Sequence, residues 1–300
     1  MNNQTTIEFL PVIDSEATAA RNRRRLEMPK AHAAFLGQET LAILGATDYT
    51  APSGKTNALG DMLTSAVAAK ISIAPGSPLP LAPDTEPAER LTISVENATT
   101  LDVSQRLTQE NKRPLALNFA APAHPGGGFL RGDRAQEENL ARSSGLYATL
   151  VGDEMYDFHR SQSGPMASDW AILSPDVPVF RDDSGVLLEE PWLLSFLTCA
   201  APQAKRMRGG ADIAASLLRA RIRRVLTIAR AYGYRDLVLG AWGCGAFGGD
   251  PVTTAADFHD ALVGPFLGAF DTVVFAITDW SPERRFLGPF ADAFTETMPP

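Results

Sequence analysis

Short apolar segments that alternate with helical segments are the feature that most restricts the fold of this chain. Beyond residue 90, six segments have the length and composition of buried strands: Leu91–Val95, Pro114–Ala120, Trp170–Leu173, Leu193–Cys199, Leu237–Ala241 and Thr272–Ile277. Helices are predicted between them, over Thr100–Asn111, Ala135–Leu150, Ile213–Ala229 and Asp257–Phe266. This alternation is typical of a largely parallel or mixed sheet covered by helices on both faces. We therefore predict a three-layer α/β/α fold, with ligands bound beyond the carboxyl ends of the strands.

The first 90 residues have a different pattern. Residues 14–46 contain few helix breakers and are predicted to be helical, and the turn residues of Tyr49–Gly54 follow them. Pro75–Pro87 is rich in proline and is interpreted as a linker or an extended surface segment. We predict that residues 1–90 form a helical extension packed on an α/β core of residues 91–300.

Charge and cysteine content exclude several classes of protein. The net charge of −8 argues against a generally cationic nucleic-acid binder. Basic residues still concentrate in Arg21–Lys30 and Lys205–Arg230, either as solvated helix faces or as a rim that guides an anionic ligand. The two cysteines, Cys199 and Cys244, are far apart, so neither a disulfide framework nor a metal site is predicted.

No segment indicates a membrane protein or an exported one. No apolar run approaches the ~20 residues of a membrane span. The first residues also lack the basic and apolar regions of a signal peptide. We expect a cytoplasmic protein that does not contact a membrane.

Three consecutive glycines, Gly126, Gly127 and Gly128, follow the predicted strand that ends at Ala120. Glycine adopts positive φ without strain, and the missing side chains let backbone N–H groups approach a ligand closely. The simpler alternative is a tight turn. We interpret this segment, the first loop, as a ligand-binding loop.

A second glycine-rich loop follows the predicted strand Leu237–Ala241. Its residues are Gly243, Cys244, Gly245, Ala246, Phe247 and Gly248. Asp250 can cap a helix that begins at Pro251, and backbone amides near a helix N-terminus attract phosphate. The spacing also matches the GxGxxG pattern of a dinucleotide-binding fold, but that fold requires a further βαβ half, and only one strand remains. Neither loop has the Gly-Lys-Ser/Thr of a P-loop, so two loops on one sheet favour a diphosphate held from both sides.

Two adjacent carboxylates, Glu137 and Glu138, follow Gln136 at the start of the helix after the first loop. Neighbouring residues of a helix point ~100° apart, so the two side chains have different tasks. One can accept hydrogen bonds from ligand hydroxyls while the other faces the bond to be cleaved. The alternative is that both only complement the helix dipole. The helix N-terminus lowers a carboxyl pKa, whereas burial and a like charge raise it, and the sequence leaves the balance open.

Gly126–Gly128, seven residues and then Gln136–Glu138 resemble the GGG-x(6–8)-QEE signature of poly(ADP-ribose) glycohydrolases. The surrounding sequence is similar to the microbial-type branch of that family, which is built on a macrodomain. The similarity extends over about residues 20–280 and includes further segments: Tyr49–Gly54, Leu117–Ala120, Ser174–Arg181 and Gly243–Gly248. The resemblance implies a macrodomain-like mixed sheet with the N-terminal helical extension.

The resemblance also implies a reaction and a set of site residues. It implies exo hydrolysis of poly(ADP-ribose), in which Glu138 protonates the leaving 2′-oxygen as general acid and ADP-ribose is released. The substrate would be the polymer or ADP-ribosylated proteins, with no metal, cofactor or direct nucleic-acid contact. Glu137 would bind ribose hydroxyls and Phe247 would pack on the terminal ribose. The remaining substrate-binding candidates are Asn118 near the ribose, Gln136, and Gly126, Gly127, Gly128, Gly243, Gly245, Ala246 and Gly248 at the diphosphate.

Three other functions remain open at this point. One is a non-hydrolytic ADP-ribose reader with the same pocket, and another is a hydrolase of mono-ADP-ribosyl groups. His124 bears on the latter, because the family often has Asn at this position and a histidine there could alter substrate preference. The third is a nicotinamide-dependent oxidoreductase. Trp280 and Phe286 are candidate adenine contacts.

Overall fold

The structure is a computed structural model that describes residues 5–84, 86–162 and 164–295. Its strands are β1 (Thr6–Phe9), β2 (Asp48–Thr50), β3 (Thr56–Ala58), β4 (Ile71–Ile73), β5 (Arg90–Glu96), β6 (Pro114–Phe119), β7 (Ala171–Arg181), β8 (Leu187–Cys199), β9 (Asp236–Leu239) and β10 (Thr272–Ala276). Its helices are α1 (Glu16–Leu26), α2 (Lys30–Ala46), α3 (Gly60–Ala69), α4 (Thr100–Gln109), α5 (Gln136–Ser143), α6 (Leu146–Leu150), α7 (Glu154–Ser161), α8 (Ala211–Ala231), α9 (Pro251–Val263) and α10 (Leu287–Ala293). None of the helices in the described ranges is long and apolar enough to cross a bilayer.

In the described part of the chain, eight strands form one mixed sheet in the order β1-β5-β10-β9-β6-β8-β7-β4. The strands from β1 to β8 in this order run parallel, whereas β7 and β4 pair in antiparallel fashion. The carboxyl ends of β5, β10, β9, β6 and β8 consequently lie along one edge of the sheet. The predicted three-layer mixed-sheet fold is confirmed.

The period of two along each strand divides the core into two layers. On β6, Leu115 and Leu117 belong to the cluster that contains α8 and α9 residues, whereas Ala116 faces a second cluster with residues of α4, α5 and α7. On β10, Phe275 belongs to the first of these clusters and Val274 to the second. Burial of both faces explains why these strands are continuous apolar runs in the sequence.

Two predicted helices are interrupted in the structure. Residues 14–46 form α1 and α2, and Pro29 stands immediately before α2, where its fixed φ suits a helix start but would break a helix interior. The predicted helix Ala135–Leu150 is divided into α5 and α6 because Ser144 is extended, with φ −148°, and forms a β-bridge with Val179. In contrast, the predicted cap is present, since the Asp250 side chain accepts a hydrogen bond from the Thr253 amide at the start of α9.

The N-terminal residues add strands as well as helices. β1 pairs in parallel with β5 and β4 pairs with β7, so both edges of the main sheet come from residues before 90. The described residues of the Pro-rich segment form no helix or strand. A division into an extension of residues 1–90 and a core of residues 91–300 stays a prediction.

Helix α2 supports the site from behind. A Cβ on Gly37 would lie 2.7 Å from the Phe129 carbonyl oxygen, so only glycine allows α2 to pack this closely on the segment after the first loop. The Thr40 hydroxyl donates a 2.6 Å hydrogen bond to the carbonyl of Arg142 on α5. The helix with the two carboxylates is therefore held between α2 and the sheet.

Candidate active site

A cavity of ≈ 480 Å³ lies beyond the carboxyl ends of five parallel strands. Residues at or just after the ends of these strands line it: Ala98, Phe119, Ala201, Ala241 and Ala276. The predicted site residues that line it are Gln136, Glu137, Glu138, Gly243, Gly245, Ala246 and Phe247. The cavity thus brings the start of α5 and the second loop together, as the sequence predicts for a ligand site at this edge.

Gln136 ties the start of α5 to the end of β6. Its side-chain Oε1 accepts a 2.9 Å hydrogen bond from the Phe119 amide, and its Nε2 donates to the Leu117 carbonyl at 2.8 Å. Nε2 also donates to the Thr100 hydroxyl at 3.1 Å. A side-chain amide can satisfy a backbone donor and a backbone acceptor together, so Gln136 sets the position of the two glutamates that follow it.

Glu137 is buried, with 3% of its surface exposed, and is held by backbone amides. Its Oε2 accepts a 2.6 Å hydrogen bond from the amide of Ala121, just after β6. Its Oε1 is buried and has no hydrogen-bond partner among the described residues. One oxygen is therefore anchored, and the other remains available to a ligand hydroxyl.

The first loop holds Glu138 in the same manner. The Gly128 amide donates a 2.9 Å hydrogen bond to Glu138 Oε1, whereas the buried Oε2 has no partner within the described ranges. Gly127 has φ +61°, and a Cβ there would lie 2.2 Å from Glu138 Oε1 and 2.9 Å from Glu137 Oε2. The glycines let the backbone approach the two carboxylates more closely than any other residue would allow.

Burial raises the pKa of Glu137 well above its ordinary value, because desolvation penalises the charged form. The charge of Glu138 raises this pKa further. The hydrogen bond from the Ala121 amide lowers this pKa, as do the nearby Asn118 side chain and Gly126 amide, but together they only partly offset burial. Glu137 therefore retains a proton at pH values at which an exposed glutamate has lost it.

A buried guanidinium stands behind Glu138. Arg142 lies one turn further along α5 and donates a 2.6 Å hydrogen bond to the Asp133 carbonyl. Burial lowers the Arg142 pKa to about 10, and the charge of Glu138 opposes this shift. Arg142 is thus a cation at neutral pH.

The second loop presents unpaired backbone donors to the cavity. Within the described residues, the amides of Gly245, Ala246 and Phe247 have no hydrogen-bond partner, although all three residues line the cavity. The loop itself is closed by the Gly249 amide, which donates to the Gly243 carbonyl at 2.9 Å. Consecutive free N–H groups in a turn form an anion-binding concavity. The backbone amides of this loop can bind a phosphate without help from a basic side chain.

Similarity to known proteins places the chain in a family. The family model described as the microbial-type PARG catalytic domain matches residues 37–182, PARG being poly(ADP-ribose) glycohydrolase. The poly(ADP-ribose) glycohydrolase structure from Thermomonospora curvata is 43% identical, covers 88% of this chain and 100% of its own, and superposes with a TM-score of 0.81. The chain belongs to the microbial-type poly(ADP-ribose) glycohydrolase family. The predicted family and its enzyme class, a glycoside hydrolase, are confirmed.

Two further structures of the poly(ADP-ribose) glycohydrolase family contain ligands. The T. curvata enzyme with the inhibitor ADP-HPD is 42% identical, covers 88% of this chain and 100% of its own, and has a TM-score of 0.79. The Deinococcus radiodurans enzyme in complex with ADP-ribose is 33% identical, covers 77% and 96% respectively, and has a TM-score of 0.68. A search of curated protein sequences gives no match.

Several residues that the glycohydrolase signature suggests lie away from the cavity wall. Asn118 is wholly buried and donates to the Thr198 hydroxyl at 3.1 Å, behind Glu137. Gly126–Gly128 face the carboxylates, and Gly248 is covered by Lys205, whose Cγ would lie 2.3 Å from a Cβ there. His124 is exposed and does not line the cavity. The substrate contacts predicted for Asn118, Gly126–Gly128 and Gly248 stay predictions.

Other lining residues of this family member were not found from the sequence. Leu26 and Glu27 come from the end of α1 and Arg134 from the segment before α5. Arg134 carried a usable signal, since it is a basic residue between the triple glycine and the QEE. The α1 residues carried none, because only the tertiary packing of the extension brings them to the site.

A buried aspartate joins α5 to its surroundings. The Asp183 carboxylate accepts hydrogen bonds from the Asn139 side chain, next to Glu138, and from the Thr99 hydroxyl at 2.6 Å. Arg25 of α1 approaches it at 3.2 Å. Burial first, and the charge of Asp102 second, raise the Asp183 pKa to about 6. Through Asp183, this network connects α1 to α5 beside the cavity.

Proposed function

We propose that the chain hydrolyses the ribose–ribose O-glycosidic bonds of poly(ADP-ribose) from the free end and releases ADP-ribose. One observation carries the proposal: among the described residues, the same cavity is lined by two buried carboxylates and by three residues with unpaired backbone amides. The cavity volume falls within the range of about 300–1,000 Å³ that is typical of single-ligand sites. It therefore suits one terminal ADP-ribose unit, and ADP-ribose is the ligand of the D. radiodurans enzyme in its complex.

The diphosphate is assigned to the second loop. Its three free amides, at Gly245, Ala246 and Phe247, supply donors to phosphate oxygens, while the amides of the first loop already serve the carboxylates or the loop itself. Gly126–Gly128 would then contribute to diphosphate binding indirectly, through the position that they give to Glu138. The adenine is assigned to the part of the cavity that is lined by Trp280 and Phe286.

Glu138 is proposed as the general acid. Its Oε1 is fixed by the Gly128 amide, which leaves Oε2 free to protonate the 2′-oxygen of the leaving unit. The bond from the terminal C1″ to that oxygen then breaks, and an oxocarbenium-like centre develops that the bound diphosphate stabilises. Glu138, now ionised beside Arg142, removes a proton from the water that adds to C1″. Free ADP-ribose results, and Glu138 recovers its proton.

Glu137 is proposed to bind the hydroxyls of the terminal ribose. Its raised pKa favours the protonated carboxyl, which can both donate and accept a hydrogen bond. Phe247 would pack against the same ribose from the second loop. This division of work gives the two adjacent residues different effects on binding and on turnover, which an experiment can separate.

The test compares Glu138→Gln with Glu137→Gln on defined poly(ADP-ribose). Release of ADP-ribose is followed over time, and ADP-ribose affinity is measured by calorimetry. We expect E138Q to lose hydrolysis by about 10³-fold or more with ADP-ribose affinity retained, since a general acid contributes about 10²–10⁴-fold and the amide cannot give up a proton. Turnover by E138Q at the wild-type rate would exclude Glu138 as the acid. Binding by the wild type without digestion would indicate a reader, and cleavage of mono-modified substrates alone would indicate a mono-ADP-ribosyl hydrolase.

A further inference from the structure

The cavity has an unusual balance of charge for a site that takes a polyanion. Its lining carboxylates are Glu27, Glu137 and Glu138, and Arg134 is the one basic residue among the described residues that line it. We propose that Arg134 forms a second anion subsite, which binds the diphosphate of the ADP-ribose unit next to the one in the cavity. This inference rests on the proposed function, because it concerns the leaving part of the same substrate.

Arg134 is oriented before any ligand arrives. Its Nη1 donates a 2.7 Å hydrogen bond to the Met28 carbonyl in the segment that joins α1 and α2. Its other two nitrogens have no partner in the described part of the chain, and the residue is exposed. A guanidinium fixed at one nitrogen retains donors for a phosphate and loses less side-chain entropy on binding.

Arg134 also lies on the side of the cavity where Glu138 stands. It precedes α5 by two residues, and its charge helps to lower the pKa of Arg142, the cation behind Glu138. The second loop, with its three free amides, is contributed by a distant part of the chain, after β9. The two anion-binding groups are therefore carried by different elements, one by the loop after β9 and one by the segment before α5.

The chemistry of the polymer places the next phosphates at Arg134. The terminal unit fills the cavity from the second loop to Glu138, so the rest of the chain must leave on the side of Glu138. The oxygen that Glu138 protonates belongs to the ribose of the neighbouring unit, and that ribose carries its own diphosphate a few bonds away. The end of α1 and the start of α5 contribute Leu26, Glu27, Arg134 and Ala135 to the cavity lining, and among these described residues only Arg134 can neutralise a phosphate.

The acidic groups near Arg134 are already occupied. The Glu27 carboxylate forms a 2.7 Å ion pair with Arg23, on the exposed surface of α1. Asp133 lies 3.4 Å from Lys30 Nζ and 3.7 Å from Arg131. Since these carboxylates have cationic neighbours of their own, the Arg134 charge remains available to the substrate.

The test compares Arg134→Ala with Arg131→Ala. Arg131 is an exposed arginine three residues away that does not line the cavity, so R131A controls for the loss of one positive charge from the same segment. Each variant is measured on poly(ADP-ribose), on an ADP-ribosyl glycoside of a small alcohol, and for ADP-ribose affinity. The small glycoside has the bond to be cleaved but no second diphosphate.

We expect R134A to lower kcat/KM on the polymer about tenfold, the equivalent of one charge-assisted contact. Turnover of the small glycoside and ADP-ribose affinity should stay at wild-type values, which also shows that R134A is folded. R134K should recover part of the loss, and R131A should match the wild type. Equal losses on both substrates, or R134A activity equal to that of R131A on the polymer, would overturn the inference while leaving the proposed function intact. A wild-type protein that cleaves neither substrate would instead overturn the proposed function and this subsite with it.

Discussion

The Gly128 backbone amide donates a 2.9 Å hydrogen bond to Oε1 of Glu138. This contact defines what the triple glycine does in the folded protein. The loop approaches the carboxylates so closely that its neighbour, Gly127, has no room for a Cβ. The glycines and the glutamates of the sequence motif therefore form one compact unit, in which the backbone of the first loop orients the Glu138 carboxyl.

Gly127→Ala should disable hydrolysis by displacing Glu138. The added Cβ would lie 2.2 Å from Glu138 Oε1, and φ of +61° is strained for alanine. Because misplacement of a catalytic group by about 1 Å can cost about 100-fold in rate, we expect a loss of that size in kcat on poly(ADP-ribose). Initial rates of ADP-ribose release measure it.

Gly45→Ala is the matched control for this substitution. Gly45 is exposed near the end of α2, and a Cβ there would meet nothing within 4 Å. The change should leave kcat unaltered and raise stability, because alanine is favoured over glycine in a helix by about 1 kcal/mol. If G127A and G45A had the same activity, the close approach of the first loop would not matter for catalysis.

The sequence predicts the continuous apolar strands, but it does not predict the edge strands or the full length of the antiparallel pair β7 and β8. β6 and β10 match the predicted segments closely because both of their faces are buried. β7 continues beyond its predicted segment to Arg181, and β8 begins before its predicted segment, at Leu187. Their additional residues include proline and charged side chains, so no apolar run marks them. β1 and β4 have only four and three residues, too few to establish a period of two.

The site was predictable where its residues are consecutive in the sequence. The cavity is lined by Gln136, Glu137 and Glu138 and by Gly243, Gly245, Ala246 and Phe247. The free amides of the second loop and the burial of Glu137 depend on tertiary packing, which the sequence does not display. The sequence also leaves the direction of the Glu137 pKa shift open, because the helix N-terminus and burial act in opposite directions. Only the structure shows that burial is the larger effect.

Gln136→Ala should destabilise the protein and reduce activity together. The Phe119 amide and the Leu117 carbonyl would each lose a hydrogen-bond partner next to the core. Leaving a buried polar group unsatisfied costs about 1–3 kcal/mol, so we expect a lower free energy of unfolding by that amount in urea denaturation. Gln38→Ala on the exposed face of α2 is the control and should change stability by less than about 0.5 kcal/mol. Equal stability of the two variants would show that Gln136 does not fix α5.

Glu137→Gln should change how stability depends on pH. The Glu137 pKa is raised in the folded protein, so its contribution to stability is fully present below the unfolded value of about 4.3 and is lost as pH rises through the folded value. Glutamine does not ionise and avoids this loss. The free energy of unfolding of E137Q relative to the wild type should therefore increase from pH 4 towards pH 8.

Denaturant titrations at several pH values measure this difference. Glu283→Gln is the control, because Glu283 is exposed and removal of its charge entails no change in burial. The difference between E283Q and the wild type should stay nearly flat over the same range. A difference for E137Q that did not grow with pH would contradict burial as the main influence on this carboxyl.

Ala246→Pro should weaken ADP-ribose binding without disturbing Glu138. Proline has no N–H, so the substitution removes one of the three free donors that the second loop presents to the cavity. A hydrogen bond to a charged group contributes about 1.5–3 kcal/mol, which corresponds to at least about a tenfold rise in the Kd for ADP-ribose. Ala246→Gly keeps the donor and is the matched control, with an expected Kd within about threefold of the wild type. Calorimetric titration measures both Kd values. Equal ADP-ribose affinity of A246P and A246G would contradict the assignment of the diphosphate to the second-loop amides.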